Sequence, residues 1–191
     1  MIEELLELDR ELLIYLNNLG SQTWDGLWLV ITNKLTFIPL YALLLFLIYK
    51  KFGLKYVLPM LFIIAAMITF TDQITNVFKD GFMRARPCRA EGVMEYIRFI
   101  AERCGKYGFF SGHSSNSMAA AVFGGLVLRP YYKNLIFILV FWSFIVAYSR
   151  IYVGVHYPLD IVCGMLFGAI SGFLFYKLNH FIQARFNSKP S

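Results

Sequence analysis

The chain has 191 residues, a length typical of one domain. Hydrophobic residues make up 58% of it and charged residues only 16%, against roughly 25% in soluble domains, which excludes an ordinary soluble globular protein. The net charge of +6 comes mainly from basic residues between apolar blocks, so it indicates membrane topology and anion binding rather than a nucleic-acid partner.

Residues 1–18 are predicted to form an amphipathic helix. Leucines recur there at helical spacing, whereas Glu4, Glu7 and Glu11 fall away from most of them. The segment begins acidic and has no cleavage site of small residues, which argues against a secretory signal peptide. A helix lying in the membrane interface and a helix packed on the protein's own surface both fit this pattern.

Five apolar blocks predict membrane-spanning helices, since a bilayer core needs about 20 helical residues and polar neighbours can extend the shorter blocks. The blocks are residues 35–49, 56–77, 117–128, 135–148 and 161–178. Residues 24–32 form a shorter apolar stretch, which leaves a sixth span open. We therefore expect a single-domain, all-α integral membrane bundle of five to six transmembrane helices.

The connections between blocks predict the orientation. Two short basic loops and the basic tail, residues 179–191, share one side if the helices alternate, and the positive-inside rule makes that side cytoplasmic. The opposite side holds a long loop, residues 78–114, and the turn around residues 150–157. The long loop is also basic, so this interpretation requires some of its cations to bind a ligand. We expect a bacterial inner-membrane protein whose site faces the periplasm or exterior.

Two of the three cysteines, Cys88 and Cys104, lie in the long loop. In an oxidising compartment they could form a disulfide, and two free thiols are the alternative. A metal site is not expected there, because no matching ligand set is nearby. Cys163 falls in the last apolar block and is interpreted as a small core residue.

Three segments at the extracytoplasmic end carry residue types suited to a phosphate group. Lys79, Arg86 and Arg150 supply permanent cations, and the arginine fork of N–H donors matches phosphate oxygens. Ser111 and Gly112 precede an apolar block, where a hydroxyl and the N–H groups of a helix start favour an anion.

Two histidines accompany these cations. Asp160 follows His156 by four residues, and Pro158 suits the first turn of a helix, so the carboxylate can accept one ring N–H. The other ring nitrogen is then free to attack phosphorus. His113 has no carboxylate beside it in sequence and suits a general acid that protonates the leaving oxygen.

These segments resemble the signature motifs of the type 2 phosphatidic acid phosphatase family, which is related to vanadium haloperoxidases. The family pattern is Lys-x6-Arg-Pro, then Pro-Ser-Gly-His, then Ser-Arg-x5-His-x3-Asp. Its matches here are Lys79, Arg86, Pro87, Ser111, Gly112, His113, Ser149, Arg150, His156 and Asp160. Phe110 stands where the second motif has proline, which predicts a different loop shape without loss of chemistry.

The resemblance implies a phosphohistidine intermediate on His156, orientation of that ring by Asp160, and protonation of the leaving group by His113. It also implies that the cations, with Ser111 and Gly112, hold the phosphate, and that the reaction needs neither metal nor cofactor. The chain itself offers no cluster of metal-ligand type.

Two further patterns leave alternatives open. Asp72, Asn76 and Lys79 share one face of the second span, so Asp72 is predicted to support a site cation, or otherwise to lie at the membrane interface. Gly164, Gly168 and Gly172 form a stripe of small residues for helix packing, either within the bundle or in a homo-oligomer.

We therefore predict a metal-independent phosphatase of membrane lipid phosphates. Candidate substrates are polyprenyl diphosphate, phosphatidylglycerol phosphate, phosphatidic acid and phosphorylated lipid A, with a weak preference for the first two. A lipid phosphotransferase using the same site and a non-catalytic lipid-binding membrane protein are the alternatives.

Overall fold

The computed structural model describes residues 1–187 and is helical throughout, with no β-strand in that part of the chain. Seven α-helices follow one another, joined by short connections except before α5. They are α1 (Ile2–Asn18), α2 (Gln22–Thr32), α3 (Ile38–Phe52), α4 (Leu54–Phe82), α5 (Gly112–Leu128), α6 (Leu135–Tyr152) and α7 (Pro158–Asn187). Short 3₁₀ helices cover Lys34–Phe37, directly before α3, and Pro87–Arg89.

Four helical segments are long and apolar enough to cross a membrane: Lys34–Phe52, Leu54–Phe82, Leu135–Tyr152 and Pro158–Arg185. The remaining predicted block lies in α5, a helix of 17 residues of which eleven are buried between its neighbours. Because α5 is buried between other helices, few of its side chains contact lipid. It therefore does not need the continuous apolar surface that the other helices present to the membrane. The expected all-α membrane bundle is confirmed, and α2, at 11 residues, is too short for a sixth span.

Two predicted boundaries move because the helices extend beyond their apolar blocks. α4 runs to Phe82 and α5 begins at Gly112, so the loop between them is residues 83–111 instead of 78–114. Lys79 consequently lies in the last turn of α4 and His113 in the first turn of α5. At the other end α7 continues through most of the predicted tail, of which residues 188–191 lie outside the described residues.

α1 is attached to the rest of the protein through one face, which includes Asp9, Leu13 and Asn17. The Asn17 amide donates to the carbonyls of Ile151 and Tyr152 at 2.9 and 2.8 Å. The leucines of the other faces, such as Leu5 and Leu8, are exposed. α1 therefore packs on the protein's own surface at the site end of the bundle and still presents apolar side chains outward.

The glycine stripe of α7 is used inside the bundle. A Cβ atom at Gly164 would lie 2.7 Å from the Ser111 carbonyl oxygen, and one at Gly168 would fall on the Ser115 carbonyl. The absence of side chains thus lets α7 approach the backbone of α5, whose first turn carries Ser111 and His113. Because the stripe is occupied by α5, it provides no argument for a homo-oligomer.

We expect Gly168→Ala to destabilise the protein by about 1–3 kcal/mol, because the added methyl forces α5 and α7 apart. Thermal unfolding in detergent should show a Tm several degrees lower. Gly26→Ala is the matched control, since a Cβ there meets open space and alanine favours the helix. Equal Tm values for the two variants would contradict the close α5–α7 contact.

Candidate active site

His156 and Asp160 form a buried pair at the junction of α6 and α7. A short turn, residues 153–157, ends at Pro158, which begins α7 and places Asp160 in its first turn. The Nδ1 atom of His156 lies 3.2 Å from Oδ2 of Asp160. A proton on Nδ1 leaves Nε2 with a free lone pair. His156 is only 1% exposed, so its ring lies almost wholly out of contact with solvent.

Asp160 is held in position by two further hydrogen bonds besides its contact with His156. Its Oδ2 atom also accepts from the Tyr157 backbone N–H at 3.1 Å, and its Oδ1 accepts from Nη1 of Arg84 at 2.9 Å. The Nη2 atom of Arg84 donates to Oδ2 of Asp9 at 2.6 Å, which places one cation between two carboxylates. The Asp9 Oδ1 atom accepts from the Leu159 N–H at 2.7 Å, so α1 is tied to the start of α7.

Three cations surround His156, each from a different segment. Lys79 comes from the last turn of α4, Arg150 from the last turn of α6 and Arg86 from the loop between α4 and α5. Burial, and then the charges of these cations, hold the pKa of His156 well below its ordinary value. The imidazole is therefore neutral at neutral pH, which is the form that can act as a nucleophile.

Arg150 is hydrogen-bonded through one nitrogen of its guanidinium group and unpaired at another. It is 9% exposed, and its Nη1 atom donates to the Thr32 hydroxyl at the end of α2. Its Nε atom is buried and has no hydrogen-bond partner among the described residues. An unpaired buried donor is costly, so this atom points to an acceptor that a bound phosphate would supply.

The start of α5 brings Ser111, Gly112 and His113 to the same place. Ser111 is fully buried and caps the helix, accepting weakly from the Ser114 N–H at 3.5 Å. A Cβ at Gly112 would lie 3.8 Å from Nζ of Lys79. His113 is near enough to Arg150 and His156 to interact with them electrostatically. The predicted catalytic and phosphate-binding residues thus lie together at one end of the bundle, close enough for their charges to act on one another.

The loop before α5 packs against this group of residues. Cys88 and Cys104 are joined by a disulfide with a Cα–Cα distance of 6.2 Å. The Arg86 Nε atom donates to the Tyr107 carbonyl at 2.9 Å, and a Cβ at Gly108 would lie 3.0 Å from Oδ2 of Asp160. Backbone without a side chain is therefore packed directly on the His156–Asp160 pair.

Phe110, the departure from the motif, is 3% exposed and packs between aromatic rings of α4 and α7. The N–H of the following residue, Ser111, donates to the Asp160 carbonyl at 3.0 Å. The loop is thus anchored by apolar contact and a backbone hydrogen bond where the family motif has a proline.

Asp72 has a different partner from the one predicted. It is near enough to Lys79 for electrostatic interaction, but it forms no ion pair among the described residues. Its Oδ1 accepts from Nδ2 of Asn116 at 2.7 Å, and Asn116 in turn accepts from the Thr71 hydroxyl. Asp72 therefore joins α4 to α5 and lines a cavity beside the site.

Sequence reasoning missed four residues that surround the site: Asp9, Thr32, Lys34 and the role of Arg84. Each comes from outside the motif positions, and three precede the first motif. One signal was available for Asp9, a carboxylate on the face of α1 that also carries Leu13. A charge on the buried face of a helix predicts a partner, but the sequence does not indicate which one.

Comparison with known proteins identifies the family of this chain. The PAP2 superfamily model matches residues 56–183. A lipid A 4'-phosphatase of Bacteroides thetaiotaomicron is 36% identical over 98% of this chain and 84% of its own. A lipid A 4'-phosphatase of Porphyromonas gingivalis is 34% identical over 96% of this chain and 78% of its own.

Two crystal structures share the fold. LpxE of Aquifex aeolicus superposes with a TM-score of 0.67 and 26% identity over 87% of this chain and 93% of its own. A PAP2-type phosphatidylglycerolphosphate phosphatase of Bacillus subtilis gives a TM-score of 0.73 over 94% of this chain and 88% of its own, and at 20% identity it supports the fold alone. The family match and the relatives along nearly the whole chain show that this protein belongs to the PAP2 superfamily and is an integral membrane phosphatase of lipid phosphates.

Proposed function

We propose that the protein removes the 4'-phosphate of lipid A through a phosphohistidine formed on His156. The observation that carries the mechanism is the buried His156–Asp160 pair among three cations, one of which has an unpaired buried donor. The substrate is proposed from the two curated relatives, whose names state that activity. The earlier preference for polyprenyl diphosphate or phosphatidylglycerol phosphate gives way to lipid A on that similarity.

In the first step the phosphate is held by Lys79, Arg86 and Arg150, with the Ser111 hydroxyl and the N–H groups at the start of α5 beside them. Nε2 of His156 forms a bond to phosphorus while the bond from phosphorus to the lipid oxygen breaks. His113 gives its proton to that oxygen, so the lipid leaves as an alcohol. His113 is buried near Arg150 and other cations, which disfavour its protonated form, so the negative charge of the bound phosphate is required to stabilise the proton that is transferred.

In the second step a water molecule attacks phosphorus and the P–N bond breaks. The water proton passes to His113, inorganic phosphate leaves and both histidines return to their initial states. The three cations neutralise the charge on the transferring group, the task that metal ions perform in many phosphoryl-transfer enzymes. The proposed reaction therefore uses no metal and no cofactor.

The proposed orientation places this site in the periplasm of the inner membrane. The basic connection between α3 and α4, with Lys50, Lys51 and Lys55, lies at the opposite end of the bundle and suits the cytoplasmic side. The Cys88–Cys104 disulfide closes the loop at the site end, and disulfides persist in oxidising compartments. Both observations support the same orientation.

The test is phosphate release by purified protein in detergent, with a chelator present. The panel contains lipid A, phosphatidylglycerol phosphate, polyprenyl diphosphate and phosphatidic acid. We expect fastest release from lipid A, retention of the 1-phosphate and no loss of rate with chelator. Fastest turnover of another lipid would overturn the substrate assignment. Phosphate appearing on an added alcohol instead of in solution would identify a phosphotransferase.

The proposed acid role of His113 leads to a separate prediction. We expect His113→Ala to lower kcat for lipid A by about 10²–10⁴-fold, because an alkoxide leaves slowly without a proton. Phosphoenzyme formation from p-nitrophenyl phosphate should fall much less, since nitrophenolate leaves unprotonated. A single-turnover assay measures this step apart from hydrolysis, and equal losses with both substrates would contradict the role.

A further inference from the structure

A cavity of about 430 Å³ lies between α3, α4 and α5, beside the active site. This volume is within the range of about 300–1,000 Å³ typical of small-molecule sites. His113, the proposed acid, forms part of its wall, so one end of the cavity adjoins the site in which the phosphate is proposed to react. The proposed chemistry uses only this end of it.

The lining changes from polar to apolar with distance from the site. Along α5 the wall passes from His113 and Asn116 to Ala120 and finally to Gly124. α3 and α4 show the same order, with polar side chains at the site end and aliphatic ones further in. Near and along α3 the order is Lys34, then Leu44 and Ile48. Along α4 it is Asp72, then Met67 and Ile64.

The depth of the cavity corresponds to one leaflet of a bilayer. Gly124 follows His113 by three helical turns, which at 1.5 Å per residue is about 16 Å. The hydrocarbon core of a bilayer is about 30 Å thick, so each leaflet contributes roughly half of that. A lipid whose phosphate reaches His113 could therefore extend one acyl chain along the full length of the cavity.

The polar end is held by hydrogen bonds between helices. Asp72 accepts from Asn116, and Asn116 accepts from Thr71, so α4 and α5 are fixed at the point where the lining changes. Lys34 lies exposed on the opposite wall. An amphipathic cavity of this kind fits a molecule with a polar head and one apolar chain.

We propose that this cavity binds one acyl chain of the lipid-phosphate substrate and limits its length. The inference rests on the proposed function, since it requires that the head group of the same molecule reacts at His156. Bilayer lipids are as apolar as the cavity wall, so transfer of a chain into it gives little affinity. The cavity instead discriminates between acyl chains by their length. The wall near Gly124 stops a chain that is too long, so the phosphate of that lipid cannot reach the histidines.

The test uses Ala120→Leu, which fills the middle of the cavity. Its matched control is Ala66→Leu, because Ala66 is exposed on α4 and does not line the cavity. The increase in side-chain volume is the same in both variants. The probes are lipid A and phosphatidic acid, each prepared with palmitoyl and with octanoyl chains, in mixed micelles. We expect Ala120→Leu to lower kcat/KM for the palmitoyl form by about tenfold or more while the octanoyl form changes less than about twofold.

A second variant acts at the far end. A Cβ at Gly124 would meet Leu44 and Leu139 at the ordinary distances of 3.7 and 3.9 Å, so Gly124→Val is expected to fold and to shorten the cavity. It should reduce turnover of palmitoyl chains and spare lauroyl chains. Equal losses at every chain length, or profiles like that of Ala66→Leu in both variants, would overturn the proposal.

The two proposals fail in different ways. If wild-type protein hydrolyses phosphatidic acid but not lipid A, the lipid A assignment is wrong, and the chain-length comparison proceeds with phosphatidic acid. If wild-type protein hydrolyses lipid A and neither cavity variant alters the chain-length profile, the cavity inference alone is wrong.

Discussion

Replacement of His156 by alanine is expected to lower kcat for lipid-phosphate hydrolysis by at least about 10⁴-fold. The reason is that His156 is oriented by a carboxylate, whereas His113, the other histidine of the site, has no carboxylate partner among the described residues. The Ser111 hydroxyl is buried at the cap of α5, and the other proposed phosphate-binding side chains are cations. Substrate should still bind, because Lys79, Arg86 and Arg150 remain, so KM should change far less than kcat.

The matched control is His180→Ala. His180 is the third histidine of the chain and is exposed on α7 near Lys51 and Lys55, at the end of the bundle opposite the site. Its replacement should leave kcat and KM unchanged, which shows that loss of a histidine as such has no effect. Both variants should unfold at similar temperatures if His156 acts in chemistry alone.

The covalent step is tested directly with ³²P-labelled substrate and rapid quenching. A phosphohistidine is stable in base and labile in acid, which distinguishes it from a phosphoserine. We expect labelled wild-type protein with this stability and no label in His156→Ala. A label that persists in the variant would mean that another residue is the nucleophile and would contradict the proposed mechanism.

Much of this site was predictable because its chemistry lies where apolar blocks end. Alternating spans bring the end of α4, the start of α5 and the end of α6 to one side of the membrane, so motifs far apart in sequence meet there. The His156–Asp160 contact is local, since four residues across a helix start suffice to place a carboxylate beside an imidazole. Short-range spacing and topology together therefore predict the pocket.

The contacts that support the pocket were not predictable by the same reasoning. The hydrogen-bond partner of Asp72 is Asn116, which a neighbouring helix presents across the interface, whereas periodicity along α4 indicated a site cation or the membrane interface. The use of the glycine stripe also depends on which helix lies opposite it. Periodicity shows which face of a helix is buried, but the residue that meets it is decided by packing between helices.

α1 shows this limit most clearly. Its pattern predicted an amphipathic helix but left its location open between the interface and the protein surface. The answer depends on Asp9 and Asn17, whose partners are distant in sequence. Because these partners include the cation that contacts Asp160, a segment outside the matched family region contributes to the active site.

Arg84→Ala is expected to lower kcat by about 100-fold with little change in KM. Arg84 donates to Asp160 and Asp9 at 2.9 and 2.6 Å, so its side chain is committed to carboxylates instead of phosphate. Its loss removes the cation that is hydrogen-bonded to the fully buried Asp160, and a small displacement of the carboxylate misaligns the His156 ring. We also expect the free energy of unfolding to fall by about 3–5 kcal/mol, the usual cost of breaking a buried ion pair.

The matched control is Arg98→Ala. The side chain of Arg98 is about as exposed as that of Arg84, and it forms an ion pair with Asp25 at 2.8 Å, which attaches α2 at the same end of the bundle without contacting Asp160. Its replacement should lower Tm and leave kcat unchanged. Equal effects of the two variants on kcat would mean that Arg84 serves only to hold the fold together.

Asp9, the second carboxylate bound by Arg84, distinguishes a positioning role of Arg84 from a purely structural one. Asp9→Asn keeps the Asp160–Arg84 pair and removes one charge from the far side of the guanidinium, so we expect a loss of kcat of about tenfold or less. If Asp9 acts through Arg84, combining Asp9→Asn with Arg84→Ala should add little to the effect of Arg84→Ala alone. Arg84→Lys should restore part of kcat, because an ammonium group supplies the countercharge but lacks the fork that contacts both carboxylates. A positioning role thus predicts partial rescue and non-additivity in kcat, whereas independent stabilising contacts would give additive losses in Tm and leave kcat at the wild-type value.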